Sequence, residues 1–242
     1  MPHKVIVSTA IDPAETVAKS DASAVSVPTV QTLLGEVLEI CIHELLFQRS
    51  VYPRDLFVTS RDYLGIRHHV ASHDDLCTYI VDTLDVAVPA MCSGLADKVS
   101  LDILDANNNE IIESYIFEID SALLANGMDQ WNAQKVSILE QHFKSLVLKF
   151  VTLEGRMMNS HFLPNNNAKF KLRLHTNGVD LHGCREFQHA VQTETWRQSS
   201  DNLTAGAHPN DDNLVIRSIK SVHVPECLLR MECTVQFLET DG

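Results

Sequence analysis

The sequence is short of the features that announce chemistry. Its six cysteines, Cys41, Cys77, Cys92, Cys184, Cys227 and Cys233, include no C-x-x-C pair. A zinc ribbon or a thioredoxin-like redox centre therefore has nothing to build on. No G-x-S-x-G elbow, Walker loop or G-x-G-x-x-G occurs. Basic residues are scarce, with 19 Lys and Arg against 32 Asp and Glu, for a net charge of -13. A surface this acidic repels phosphate backbones, which argues against direct nucleic-acid binding but not against delivery to DNA by a partner. No run approaches the ~18 consecutive apolar residues of a membrane helix. Residues 1–29 also lack the apolar core of a signal peptide, so a reducing compartment is expected.

Two partial metal patterns also fall short. His43-Glu44 begins H-E-x-x-H, but the fourth position on is Phe47, so two rings cannot face one ion. His68, His69, His73, Asp74 and Asp75 offer ligand types at spacings of four and five residues. They fall where a loop meets a helix start, where capping is the expected role. Cys227 and Cys233 share the parity of one strand face and read as core or surface. No metal, cofactor or catalytic residue is expected.

What is present is a core-forming pattern. Hydrophobic residues make up 45% of 242, enough for a sizeable core. Residues 1–28 have no sustained period and are expected to be a disordered tail. Val30, Leu33, Leu34, Val37, Leu38, Cys41, Ile42 and Leu45 keep helical spacing over about 29–49, and Ile40, Leu46 and Phe47 widen the stripe. Pro53 must end this helix near Ser50. A second helix is expected from a Ser72–Asp75 capping pattern through Leu76, Tyr79, Ile80, Leu84 and Ala87, kinked or ended at Pro89. A hairpin follows, with strands around 99–103 and 111–119 joined by Asp105-Ala106-Asn107-Asn108-Asn109. A third helix is expected over about 131–154, then an alternating strand from Phe170 to His175. Residues 176–211 are weakly patterned, and loops of that length are generally functional or disordered. Two closing strands, 214–222 and 227–238, flank a break at Pro225. Helices followed by strands, rather than alternating with them, give an α+β class with an antiparallel sheet.

Several stretches stand out by their order and spacing: Val51-Tyr52-Pro53 with Phe57, His73-Asp74-Asp75-Leu76 with Tyr79-Ile80 and Asp82-Thr83-Leu84, Ile103-Leu104-Asp105, Phe117-Glu118-Ile119, Leu139-Glu140-Gln141 with Leu148-Lys149, and Phe170 through Thr176. Together they resemble the HORMA domains, most closely the accessory HORMA subunit of translesion DNA polymerase zeta. The resemblance implies one HORMA domain over 29–240: three helices on an antiparallel sheet, with a safety belt over 176–240. It implies a non-catalytic clamp whose belt wraps a partner peptide added to the sheet as a strand, in a fold that can be open or closed. Tyr79 and Trp196 match the contacts to a proline-containing peptide of the polymerase catalytic subunit. Ile216, Glu232 and Thr234 fall where the family meets the C-terminal domain of the translesion scaffold polymerase. The family's Gln and Tyr on the last strand are here Glu232 and Thr234, an aromatic lost and a charge gained. Lys144 matches a basic position on a HORMA–HORMA dimer face. The resemblance implies no cofactor, no membrane contact and a nuclear location, with the cytoplasm as a second compartment. The alternative within the fold is a spindle-checkpoint or meiotic-axis protein binding the peptides of those pathways.

Overall fold

A computed structural model of the chain describes residues 28–61, 63–120, 131–153, 167–176 and 214–238. Three helices, α1 (Val30–Gln48), α2 (Asp74–Ser93) and α3 (Ala133–Val151), accompany two antiparallel sheets. The small sheet pairs β1 (Phe57–Ser60) with β2 (His68–Ala71). The large one contains β3 (Ala96–Asp105), β4 (Ile111–Ile119), β5 (Ala168–Thr176), β6 (Leu214–Val224) and β7 (Leu229–Leu238), in the spatial order β5-β3-β4-β7-β6. The α+β expectation of helices on an antiparallel sheet is met. The expected tail and most of the expected belt lie outside the described residues.

Helix α1 is the centre of the packing. From Ile40 to Leu46 every residue is buried, polar ones included, because α2, α3 and β2 all pack against it. Thr29 caps its start by accepting from the Thr32 N–H at 3.1 Å. Its end is set before Pro53 is reached. Ser50 turns left-handed (φ 51), its N–H donates to the Phe47 carbonyl, and the Val51 N–H donates to that of Leu46. This is a Schellman closure, sealed by the buried Val51. Pro53 follows the stop rather than making it.

Helix α2 departs from expectation at both ends. Ser72 does not cap it; its hydroxyl donates to the Leu56 carbonyl at 2.9 Å, and His73 is the N-cap without a side-chain bond. Nor does Pro89 end it. The helix runs on to Ser93, and Gly94 (φ 79) stops it in the left-handed region that glycine adopts without strain. By length and composition α2 could cross a membrane, yet half of its most apolar window is buried inside the fold. The expected turn at 105–109 is built from Asx bonds, with Asp105 accepting from the Asn107 N–H and Asn108 from that of Glu110. Cys227 lies in a 3-10 turn (Pro225–Cys227), not on the strand that carries Cys233, so the expected shared face does not exist.

Partly and fully buried polar groups tie the layers together. Arg49, just past α1, donates to the Tyr115 hydroxyl at 2.7 Å and to Glu113 at 2.6 Å, and Tyr115 donates to Glu113 at 2.8 Å. Gln48 donates to the Phe150 carbonyl at 2.7 Å, satisfying the end of α3. Of the residues expected where a loop meets a helix start, His73, Asp74 and Asp75 do begin α2, whereas His68 and His69 lie in β2. Glu44, buried on α1, accepts from the His69 backbone N–H and lies 3.1 Å from its ring Nδ1, and that ring stacks on Phe47. His68 Nδ1 lies 3.0 Å from the Ile66 carbonyl. No group of three metal-ligating side chains occurs among the described residues.

Two outcomes follow from these contacts. Arg49→Met strips a cation from Glu113 and Tyr115 and should cost roughly 3 kcal/mol in urea unfolding. Lys98→Met, which breaks an ion pair with the half-exposed Glu118, should cost less than about 1 kcal/mol; equal losses would contradict the difference in burial. His43 is fully buried, and burial, with His68 beside it, lowers its pKa from 6.5 to about 4. Below pH 6.5 the unfolded chain takes up a proton that the folded chain refuses until about pH 4. Stability therefore falls with pH in that window, and wild type should lose about 2 kcal/mol more than His43→Gln between pH 7.5 and pH 5. Parallel losses in the two proteins would refute it.

Candidate functional site at the edge of β5

β5 pairs only with β3 among the described residues, so the N–H and C=O groups along its other side have no strand partner there. Its side chains alternate. Phe170, Leu172 and Leu174 turn toward the helices, while Lys169, Lys171, Arg173 and His175 occupy the opposite face.

An aromatic group stands on the helix side of this edge. Tyr79 of α2 meets Phe170 edge-on with centroids 5.6 Å apart, and Tyr52, from the turn after α1, does so at 6.1 Å. Tyr79 is 38% exposed, so half-open to solvent rather than core. Burial raises its pKa, while the Leu172 backbone N–H and the Thr83 hydroxyl close by oppose the shift. Tyr79 thus stands against the β5 main chain itself. Burial also raises the pKa of Tyr52, with Tyr79 adding to it. Both phenols stay neutral at physiological pH, and they present an apolar body with a hydrogen-bonding tip.

On the opposite face the buried Asp102 of β3 accepts from Ser114 and pairs with Arg173. Ser100 lies 3.0 Å from His175 Nε2. Burial lowers the pKa of His175, helped by Arg173 and opposed by Asp102 and Asp97.

The other expected site residues are dispersed. Trp196 lies outside the described residues. Ile216 is 57% exposed on β6, opposite Gln236 and diagonal to Thr234. Glu232, two residues from Thr234, pairs with Arg230 at 3.0 Å. The three share one face of the β6–β7 hairpin, since Met231, Cys233, Val235 and Phe237 are buried on the other. Lys144 is exposed on α3, one turn from the exposed Leu148. The sequence reading missed Tyr52 and Phe170 as parts of a site. Tyr52 was legible only as a stop signal and Phe170 only as a strand's apolar face; their meeting needs the fold.

The HORMA domain family matches residues 30–202. The chain belongs to it. The rat mitotic spindle assembly checkpoint protein MAD2B (Rattus norvegicus) is 31% identical over 187 residues, covering 77% of this chain and 82% of that protein. The DNA polymerase zeta processivity subunit of fission yeast (Schizosaccharomyces pombe) is 34% identical over 89 residues, 37% of this chain and 41% of that protein. Among solved structures, C. elegans HTP-2 bound to the HIM-3 closure motif superposes with a TM-score of 0.57 at 12% identity, covering 86% of this chain and 89% of that one. The last likeness concerns the fold alone.

Proposed function

We propose that this HORMA chain is a non-catalytic adaptor that captures a proline-containing peptide of the polymerase zeta catalytic subunit as an added strand on β5. The observation that carries the reading is the edge of β5, which has no strand partner among the described residues, with Tyr52, Tyr79 and Phe170 beside it. Strand addition supplies main-chain hydrogen bonds for affinity, and pockets for alternate side chains supply specificity. Rigid aromatics suit proline, which packs well but donates no backbone bond.

In this reading residues 176–240 form the belt. β7 is paired with β4 and β6 with β7, an arrangement that suits a belt already fastened. Release then requires the hairpin or the chain before it to open, so dissociation is slow. Ile216, Glu232 and Thr234 face away from the buried layer and would carry the translesion scaffold polymerase, while Lys144 belongs to a HORMA dimer face. The protein acts in the nucleus, in tolerance of DNA damage. Its partner peptide supplies the link to DNA that its own charge opposes.

A second reading has its own support. The rat relative's name places that protein at the spindle assembly checkpoint. Affinity purification with mass spectrometry separates the two. The polymerase catalytic subunit is the expected partner, and recovery of checkpoint proteins alone would transfer the assignment. With the polymerase peptide as probe, Tyr79→Ala and Trp196→Ala should each weaken binding at least tenfold, or ~1.4 kcal/mol. An unchanged Kd for both variants would place the peptide elsewhere.

A further inference from the structure

The edge of β5 has two sides, and the aromatic group occupies only one. The opposite face carries a basic row in a chain whose net charge is -13. Lys169 and Lys171 are both exposed. Lys169 donates to the Ala106 carbonyl at 3.3 Å, a contact with a neutral group that leaves its charge uncompensated. Lys171 stands opposite Asp102 across the β3–β5 pair. That carboxylate is fully buried and already held by Arg173 and Ser114. Among the described residues neither lysine has an acidic partner within ion-pair distance, although acids outnumber bases 32 to 19 in the chain.

A strand added to β5 continues the pleat. Its side chains fall alternately beside Phe170 and Leu172 and beside Lys169 and Lys171. The two sets of positions therefore meet opposite chemistries. We infer that the captured peptide is two-faced: apolar or proline side chains at one parity, lying against Tyr52, Tyr79 and Phe170, and Asp or Glu at the other parity, lying against Lys169 and Lys171. This deepens the strand-addition reading and rests on it. The basic row sets which peptides are accepted and in which register. A slip by one residue would place carboxylates on the aromatics and apolar groups on the lysines. Cationic peptides gain nothing at that face.

The test is selection of a random displayed peptide library on the full-length chain, with prolonged incubation to allow slow capture. Enriched peptides should show Asp or Glu at alternate positions, interleaved with apolar residues or proline. For one enriched peptide, each Asp→Lys change at those positions should weaken binding roughly two- to fivefold, an effect that shrinks as salt rises. The Lys169→Glu, Lys171→Glu protein should invert the preference toward Lys and Arg. Both sites are exposed, so the variant should fold, as its circular dichroism would show. Enriched peptides without a charge preference at one parity would overturn the inference while leaving strand addition standing. So would a preference that survives the charge reversal. Failure to enrich any peptide would overturn strand addition and the inference with it.

Discussion

A sheet that does not close on itself leaves main-chain donors and acceptors at each end, and they must be paired, hydrated or guarded. Here that constraint falls on β5, a nine-residue strand that among the described residues is bonded on one side only, to β3. Its exposed face carries Lys169 and Lys171, and charges on an edge strand discourage pairing with arbitrary chains. Its other face is shielded by Tyr52 and Tyr79. The groups that discourage indiscriminate addition are thus the groups that can recognise a selected one. The opposite edge, β6, is treated differently: its register with β7 shifts between Ser218 and Lys220, an irregularity that disrupts a flat template.

What fixes this edge in place is far away in sequence. β4 pairs with β7, and β6 with β7, so the last strands complete the sheet on the side remote from β5. The central helix sets the spacing between them. α1 is buried nearly all round, and Arg49 at its end is bonded to Glu113 and Tyr115 of β4. Its chain then turns at Ser50 and delivers Tyr52 to Phe170. The same helix thereby anchors the middle of the sheet and furnishes part of the wall at its edge.

Local patterns made most of the fold legible. The periodicity from Val30 to Leu45 marked α1, and alternation from Phe170 to His175 marked β5 with both its faces. The small sheet escaped notice because β1 and β2 have only four residues each, too few for a period to show. Ser72 looked like a cap, but the carbonyl of Leu56, in the 3-10 turn just before β1, claimed its hydroxyl. Pro89 is expected to kink or end α2; it does not end it, and the helix continues to Ser93 with Gly94 as its cap. Glu44 and His43 looked like ordinary helix residues and proved to be buried, one of them bonded to His69, because β2 covers that side of α1. Of the site, Tyr79 is legible through family resemblance, whereas its apposition to Tyr52 and Phe170 depends on contacts between separate segments that no local pattern encodes.

The central claim is that a partner peptide adds to β5. Hydrogen exchange resolved to single amides, with and without the proline-containing polymerase peptide, addresses it directly. The account predicts new protection at alternate amides of residues 168–176, those facing away from β3, with β6 and β7 unchanged. Protection appearing along β6 with none gained on β5 would contradict it.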